Sequence, residues 1–317
     1  MQIQFCGEFT ALKGKPLMEE GVDPNGRPYR KIQFGVQAGY SCAFVEAYAS
    51  AAGTDKRSAS ARSYVCDLDG RRTFDNQYDQ IGYLAEALPG TGRIVVTGKL
   101  KKSYHGGRWY DNYQIRNVYA ATEADKTRLL LAGGIIFNRD SIDDSHYEQD
   151  GILMVNGYIE QYMDKEHPRA LVSQTFVLNT SRLDRSNPEH LSAIQFREHY
   201  LEPIPAGWTK SSWEISLRRR REELPFDVSK LTPVQRMAFE SGEYTLDDLK
   251  PTKKGSIWAT QMLLFRPIVK DEYVSGPVFY GDDAAVEPMI YHPILTPNLP
   301  VKAGGQDVDV LDTEDLF

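Results

Sequence analysis

The stretch 93–120, RIVVTGKLKKSYHGGRWYDNYQIRNVYA, predicts two β-strands joined by a basic, aromatic hairpin. Its first strand is β-branched and apolar at positions 94–96, and Gly98 then lets the backbone bend or bulge. Gly106 and Gly107 supply the positive φ angles that a hairpin tip needs. The hairpin therefore protrudes from the end of a buried strand.

Cations and flat rings are concentrated on this hairpin. The residues concerned are Lys99, Lys101, Lys102, Tyr104, Arg108, Trp109, Tyr110 and Arg116. Because phosphates attract positive charge and unpaired bases stack on exposed rings, this composition is typical of a surface that binds a single-stranded nucleic acid. The alternative is an ordinary hairpin with a polar, solvated surface.

The chain before this hairpin predicts a small barrel. Residues 2–12, 29–38 and 40–49 have the period of β-strands, and residues 75–88 carry apolar side chains at helical spacing. Five strands with a helix between the third and the fourth make the layout of an OB-fold. We therefore predict a mainly β protein, a β-barrel with helices, whose residues 1–122 form an OB-fold domain of the kind that binds oligonucleotides.

The third predicted strand has two unlike faces. Small apolar side chains occupy positions 43, 45, 47 and 49 and suit a tight barrel interior, which leaves Phe44 and Tyr48 as an exposed ring platform. The opposite arrangement, with the rings inside, stays open from sequence alone. We add Arg30 and Lys31 of the second strand as candidate DNA contacts. The small, polar and basic stretch 51–62 predicts a mobile loop.

A second domain is predicted over residues 123–292, either an α+β domain or a divergent OB-like domain. Strands are expected at 152–163, 170–179 and 256–269, a helix at 188–201, and a strand or the start of a helix at 208–217. A further helix is expected to begin at Thr232 and Pro233 and to end at Gly242. The four arginines at 218–221 precede two glutamates, which favours a solvated helix face over a phosphate contact.

Composition limits the class of protein. The chain has 317 residues, 41% hydrophobic and 26% charged, which fits two globular domains. No apolar run predicts a membrane span or a signal peptide. The three cysteines are widely spaced and predict neither a disulfide framework nor a zinc site. A cytoplasmic location follows, in the host cell if the protein is phage-encoded.

The net charge of −7 is unevenly distributed. Residues 1–122 are net positive by 4, whereas residues 307–317 hold five acids and no base. Residues 293–317 are therefore predicted to be a short linker and a disordered acidic tail. The residues expected to bind a partner protein are Asp312, Glu314, Asp315, Leu316 and Phe317.

Two stretches resemble the single-stranded DNA-binding proteins of bacteria and their phages. One is IGYLAEALPGTGRIVVTGKL at 81–100 with the later RWYDNYQIRNV, and the other is the acidic tail that ends in Phe317. The resemblance implies an OB-fold that coats single-stranded DNA with little sequence preference, and a tail that recruits replication, recombination or repair proteins. Leu316 stands where the family usually has proline, so the partner of the tail is open.

Motifs for catalysis are missing from the sequence. No phosphate-binding loop, dinucleotide-binding turn or nucleophile elbow occurs, and the six histidines have no metal-binding spacing. Asp140, Asp143 and Asp144 are the acids most similar to a metal site, and an exposed loop explains them better. We therefore predict a non-enzyme without a cofactor or metal.

The predicted function is single-stranded DNA binding during replication, recombination or repair. The alternatives are an RNA-binding or structural protein of a phage or plasmid, and a recombination mediator that acts through protein contacts. A homo-oligomer is left open.

Overall fold

The computed structural model describes residues 1–51, 64–105, 107–205, 207–223, 256–269 and 276–293. Within these ranges, no helix is both long and apolar enough to cross a membrane.

The first half of the chain forms a closed barrel. Its elements are β1 (Gln2–Thr10), β2 (Met18–Val22), β3 (Pro28–Ala38), β4 (Ser41–Ser50), β5 (Tyr64–Asp67), β6 (Arg71–Phe74), α1 (Gln77–Ala87), β7 (Arg93–His105) and β8 (Arg108–Ala120). The barrel closes in the order β1–β3–β4–β8–β7–β1, with β4 and β8 parallel and the other pairs antiparallel. Five strands closed in this order, with α1 between the third and the fourth, are the OB-fold that the sequence predicts.

The alternation of side chains accounts for the barrel core. Ile32, Phe34 and Val36 of β3 are fully buried, and the small side chains of β4 fill the facing interior. Helix α1 begins at the cap Asn76, whose side chain accepts a hydrogen bond from the backbone N–H of Asp79 at 2.8 Å. Its apolar stripe closes one end of the barrel core.

The bend in β7 is a β-bulge at Gly98. The register with β8 shifts between Thr97 and Gly98, which leaves Arg116 as the extra residue. A Cβ atom at Gly98 would lie 1.9 Å from the carbonyl oxygen of Gln114, so only glycine fits there. At the hairpin tip, Gly107 has a φ of +83°.

The second half of the chain repeats the same pairing. Its elements are β9 (Arg128–Phe137), β10 (Ile142–Asp143), α2 (Tyr147–Asp150), β11 (Ile152–Gln161), β12 (Ala170–Asn179), α3 (Pro188–His199), β13 (Trp208–Glu223) and β14 (Ser256–Pro267). They close in the order β9–β11–β12–β14–β13–β9, and the β12–β14 pair is parallel. The second half is therefore OB-like, which is one of the two arrangements that the sequence leaves open. We call the two halves barrel 1 and barrel 2.

The first strands of the two barrels join them. β1 pairs with β9 in antiparallel register, from Gln2 opposite Ala132 to Cys6 opposite Arg128. Leu129 and Leu131 of β9 lie in the same hydrophobic cluster as Phe5 of β1. One sheet and one core therefore run through both barrels.

A C-terminal segment covers part of barrel 2. It consists of β15 (Val278–Gly281), α4 (Asp283–Val286) and a 3₁₀ turn (Glu287–Met289). Val286 packs with Leu171 and Trp208 in a second apolar cluster, and the backbone N–H of Tyr291 donates to the carbonyl of Leu171 at 2.9 Å. Residues 276–293 are thus fixed to barrel 2.

Several predictions of elements need correction. Strand β9 was not predicted, nor were the short strands β2, β5 and β6. Residues 218–221 lie in strand β13 and not on a helix, because β13 continues to pair with β14 as far as Glu223. The predicted helix at 232–242, most of the predicted loop at 51–62 and the acidic tail lie outside the described residues.

Candidate nucleic-acid interface

One side of barrel 1 carries exposed rings and cations together. We define the outer face as the outward positions of β3, β4, β8 and β7: Tyr29, Lys31, Gln33, Phe44, Glu46, Tyr48, Tyr110, Asn112, Gln114, Lys99 and Lys101. Between β3 and β4, Lys31 lies opposite Tyr48. Between β4 and β8, Glu46 lies beside Gln114, and Gln114 lies opposite Lys99 of β7. Residues that alternate along paired strands share a face, so these side chains form one continuous surface.

The rings of β4 point outward. Phe44 is 36% exposed and Tyr48 is 53% exposed, whereas Ala43, Val45 and Ala47 between them are buried. The structure thus confirms the interpretation in which the small side chains fill the barrel. The small side chains of β4 pack there against the bulky side chains of β3 in one close-packed core.

Two further tyrosines extend this ring platform. Tyr29 was not predicted as a site residue, but its ring centroid lies 5.2 Å from that of Tyr48, with 31° between the planes. Its place two residues before Lys31, at strand period, is the sequence signal that was available. Tyr110 on the hairpin is 44% exposed.

The cations of the outer face are accessible. Lys99 and Lys101 of β7 are exposed, and so are two arginines of β8 that adjoin the outer face, Arg108 at the hairpin tip and Arg116 at the bulge. Burial and the positive charge of Lys99 both lower the pKa of the Met1 amino group. Glu46 is the acid in the middle of the face, and it weakens the local positive potential.

Strand alternation divides the hairpin into two sides. Tyr104 and Trp109 are opposite each other on the inner side, whereas Tyr110 is on the outer side opposite Ser103. The ring centroid of Trp109 lies 5.3 Å from that of Tyr104 and 6.0 Å from that of Tyr291. Trp109 is half-buried and packs against the core, so its ring already has partners in the protein.

Lys102 also lies on the inner side and connects the two barrels. It is 5% exposed, its Nζ is 3.3 Å from Oδ1 of Asp111, and it donates a hydrogen bond to the side chain of Gln174. Gln161 accepts from the backbone N–H of Lys102 at 2.8 Å and donates to its carbonyl at 2.8 Å. The structure therefore places Lys102 in the junction between the barrels, with its ammonium group already paired.

Arg30 is engaged on another side of the barrel. Its Nε is 2.7 Å from Oε1 of Glu20, and its guanidinium carbon is 4.3 Å from the ring centroid of Tyr78 in α1. Strand alternation directs Arg30 away from Lys31, so the predicted pair of adjacent cations does not form one site.

The corresponding face of barrel 2 is different. The outward positions of β11 and β12 expose Asn156, Ser173 and Thr175. Tyr158 on this face packs edge-on against Trp208, with ring centroids 5.5 Å apart. The outward positions of β11 and β12 thus carry no exposed ring beside a cation.

The acidic cluster of the sequence forms an ordinary turn. Asp143 accepts hydrogen bonds from the hydroxyl and the N–H of Ser145 at 2.6 and 3.1 Å, which lower the pKa of its carboxyl. Asp140 and Asp144 are exposed. Within the described ranges, no three His, Cys, Asp or Glu side chains come together in a geometry that could hold a metal ion.

The architecture defines a class of protein, a chain of two joined OB-type barrels, and barrel 1 carries a ring-bearing face. No protein-family model matches the sequence, and no curated protein matches it either. Among solved structures, the chain is similar to a deletion mutant of the single-stranded DNA-binding protein from Thermus aquaticus. The identity is 10% and the TM-score is 0.34, over 86% of this chain and 95% of that chain. Because a TM-score this low establishes no shared function, the binding chemistry must come from the residues themselves.

Proposed function

We propose that the protein binds single-stranded DNA on the outer face of barrel 1. The observation that supports this is the set of three exposed rings, Phe44, Tyr48 and Tyr110, on one face that also presents lysines. A single strand offers a charged backbone and unpaired bases, and these two chemistries match cations and rings. A duplex hides its bases and would leave the rings unused.

The contacts divide by role. Lys31, Lys99, Lys101, Arg108 and Arg116 neutralise phosphates, and the rings stack on bases. Stacking accepts any base, so we expect little sequence preference and a role in coating and protecting the strand during replication, recombination or repair. Arg30, Lys102, Tyr104 and Trp109 are not included, because each already has partners in the protein.

The test is a titration of fluorescently labelled oligo-dT at several salt concentrations, followed by anisotropy. If the cations bind phosphates, log affinity should fall linearly with log salt, with a slope of about −0.7 for each phosphate contact. Competition with an RNA of matched sequence separates DNA binding from RNA binding. A protein that leaves oligo-dT unbound even at low salt would contradict the proposal.

The recruitment of partner proteins rests on the sequence of residues 307–317. Five acids around apolar side chains suit a partner pocket that is apolar and rimmed by Lys or Arg. Phe317→Ala should abolish capture of replication proteins from a host lysate while DNA affinity stays nearly unchanged. Equal capture by the wild-type and variant chains would leave the acidic tail without a recruiting role.

A further inference from the structure

A cleft of about 190 Å³ lies where the two barrels meet. Barrel 1 contributes Ser41 and Phe44 from β4 and Asp111 and Tyr113 from β8, and barrel 2 contributes Arg218 from β13 and Thr260 from β14. The ring of Phe44 thus belongs both to the outer face and to this cleft. A strand that crosses the outer face would reach the cleft at Phe44.

Each barrel packs one element against the other barrel at this cleft. The β7–β8 hairpin of barrel 1 lies against barrel 2 through Lys102 and Gln161. In return, strand β13 of barrel 2 lies against barrel 1 where Leu217, which is 4% exposed, enters the shared core. Because consecutive side chains of a strand point to opposite faces, burial of Leu217 fixes Arg218 on the accessible side.

The chemistry of the cleft matches one nucleotide. Phe44 offers a ring for a base, Arg218 offers an exposed guanidinium, and Thr260 offers a hydroxyl. Asp111, the acid of the cleft, is neutralised by Lys102 at 3.3 Å. In the described part of the chain no carboxylate forms an ion pair with Arg218, so its guanidinium is available to a ligand.

We propose that this cleft is a nucleotide subsite of the DNA path, where a base stacks on Phe44 and Arg218 binds the adjacent phosphate. The inference rests on the proposed function and extends it, since barrel 2 then contributes a contact to the site of barrel 1. The arginine run at 218–221 begins with a DNA contact and is not only a solvated surface.

The test is Arg218→Gln, measured with oligo-dT over a range of salt concentrations. We expect the salt slope to become shallower by about 0.7, which corresponds to about fivefold in affinity for each tenfold change in salt. Arg218→Lys should keep the slope, because it keeps the charge. The matched control is Arg266→Gln on β14, an exposed arginine that pairs with Glu214 at 2.7 Å and lies outside the cleft. Its slope should equal that of the wild type.

A double-mutant cycle tests the geometry. Phe44→Leu and Arg218→Gln should be non-additive, since both remove contacts to one nucleotide, whereas Tyr110→Leu and Arg218→Gln should add. If wild type binds oligo-dT and Arg218→Gln binds with the same affinity and slope, the subsite is overturned and the proposed function stands. If the wild type itself does not bind, both fall. Circular dichroism spectra that match the wild type show that each variant is folded.

Discussion

The aromatic side chains of barrel 1 differ in whether they are exposed to a ligand or packed within the protein. Tyr48 lies on the outer face with half of its surface exposed, and its ring packs against Tyr29. Trp109 has a more favourable ring for stacking, but Tyr104 and Tyr291 enclose it. Exposure and not ring size therefore decides which aromatic residue is available to a base.

Tyr48→Ala should weaken oligo-dT binding by about one to two decades, because stacking of a base on a ring is worth ~1–3 kcal/mol. The measurement is fluorescence anisotropy at constant salt. Tyr162→Ala is the matched control, since Tyr162 is 57% exposed but lies in barrel 2. Equal affinities of Tyr48→Ala and the wild type would remove Tyr48 from the interface.

Gly98→Ala should destabilise the protein by about 1–3 kcal/mol, because the new methyl group meets the carbonyl oxygen of Gln114 in the bulge. Gly92→Ala is the control, since a Cβ atom there has nothing closer than 3.9 Å. The midpoint of urea unfolding measures both variants. A Gly98→Ala midpoint equal to that of Gly92→Ala would mean that the bulge adjusts without cost.

At the scale of elements, the sequence predicts the strands whose faces differ. β3, β4 and the β7–β8 hairpin show strand periodicity because one face is in the core and the other is in solvent. β9 escapes prediction because Leu129, Leu130 and Leu131 are all buried, so its pattern is continuous and its two glycines suggest a turn. Its second face is covered by another part of the chain, which no local pattern records.

Contacts between distant parts of the chain also limit how far the candidate site can be predicted from the sequence. The sequence places cations and rings together on the hairpin, but neighbours in sequence point to opposite sides of a strand. The hydrogen-bond partners of Lys102, Gln161 and Gln174, lie 59 and 72 residues away in the chain. Arg218 likewise reaches the cleft only through the packing of one barrel on the other.

Substitution of two adjacent lysines should therefore affect different properties, stability in one case and DNA binding in the other. Lys102→Met should lower stability by about 1–3 kcal/mol, because Asp111 and Gln174 lose their partner in the junction. Lys101→Met should leave stability within about 0.5 kcal/mol and make the salt slope of DNA binding shallower by about 0.7. Urea unfolding and the salt titration measure the two effects. The division of the hairpin into two sides is contradicted if the lysines exchange roles.

At the scale of the molecule, the question is whether two barrels behave as two domains. The sequence predicts domains at 1–122 and 123–292, with the linker and acidic tail at 293–317. The β1–β9 pairing and the shared core instead favour one cooperative unit, because opening one barrel would expose apolar surface of the other. This question can be decided by placing a defect in one barrel and measuring the other.

Phe176→Ala provides that defect. Phe176 is fully buried in β12 of barrel 2, and its loss should cost about 3–5 kcal/mol. In a cooperative unit, the slowest amides of both barrels exchange through global opening. The free energy of opening obtained from their exchange rates should therefore fall by the same amount in β3 of barrel 1 as in β11 of barrel 2. Phe196→Ala, at a ring that is 44% exposed on α3, should change neither by more than about 0.5 kcal/mol. Unchanged protection in β3 would mean that barrel 1 opens independently, and the boundary near residue 122 would then separate two domains in energy as well as in sequence.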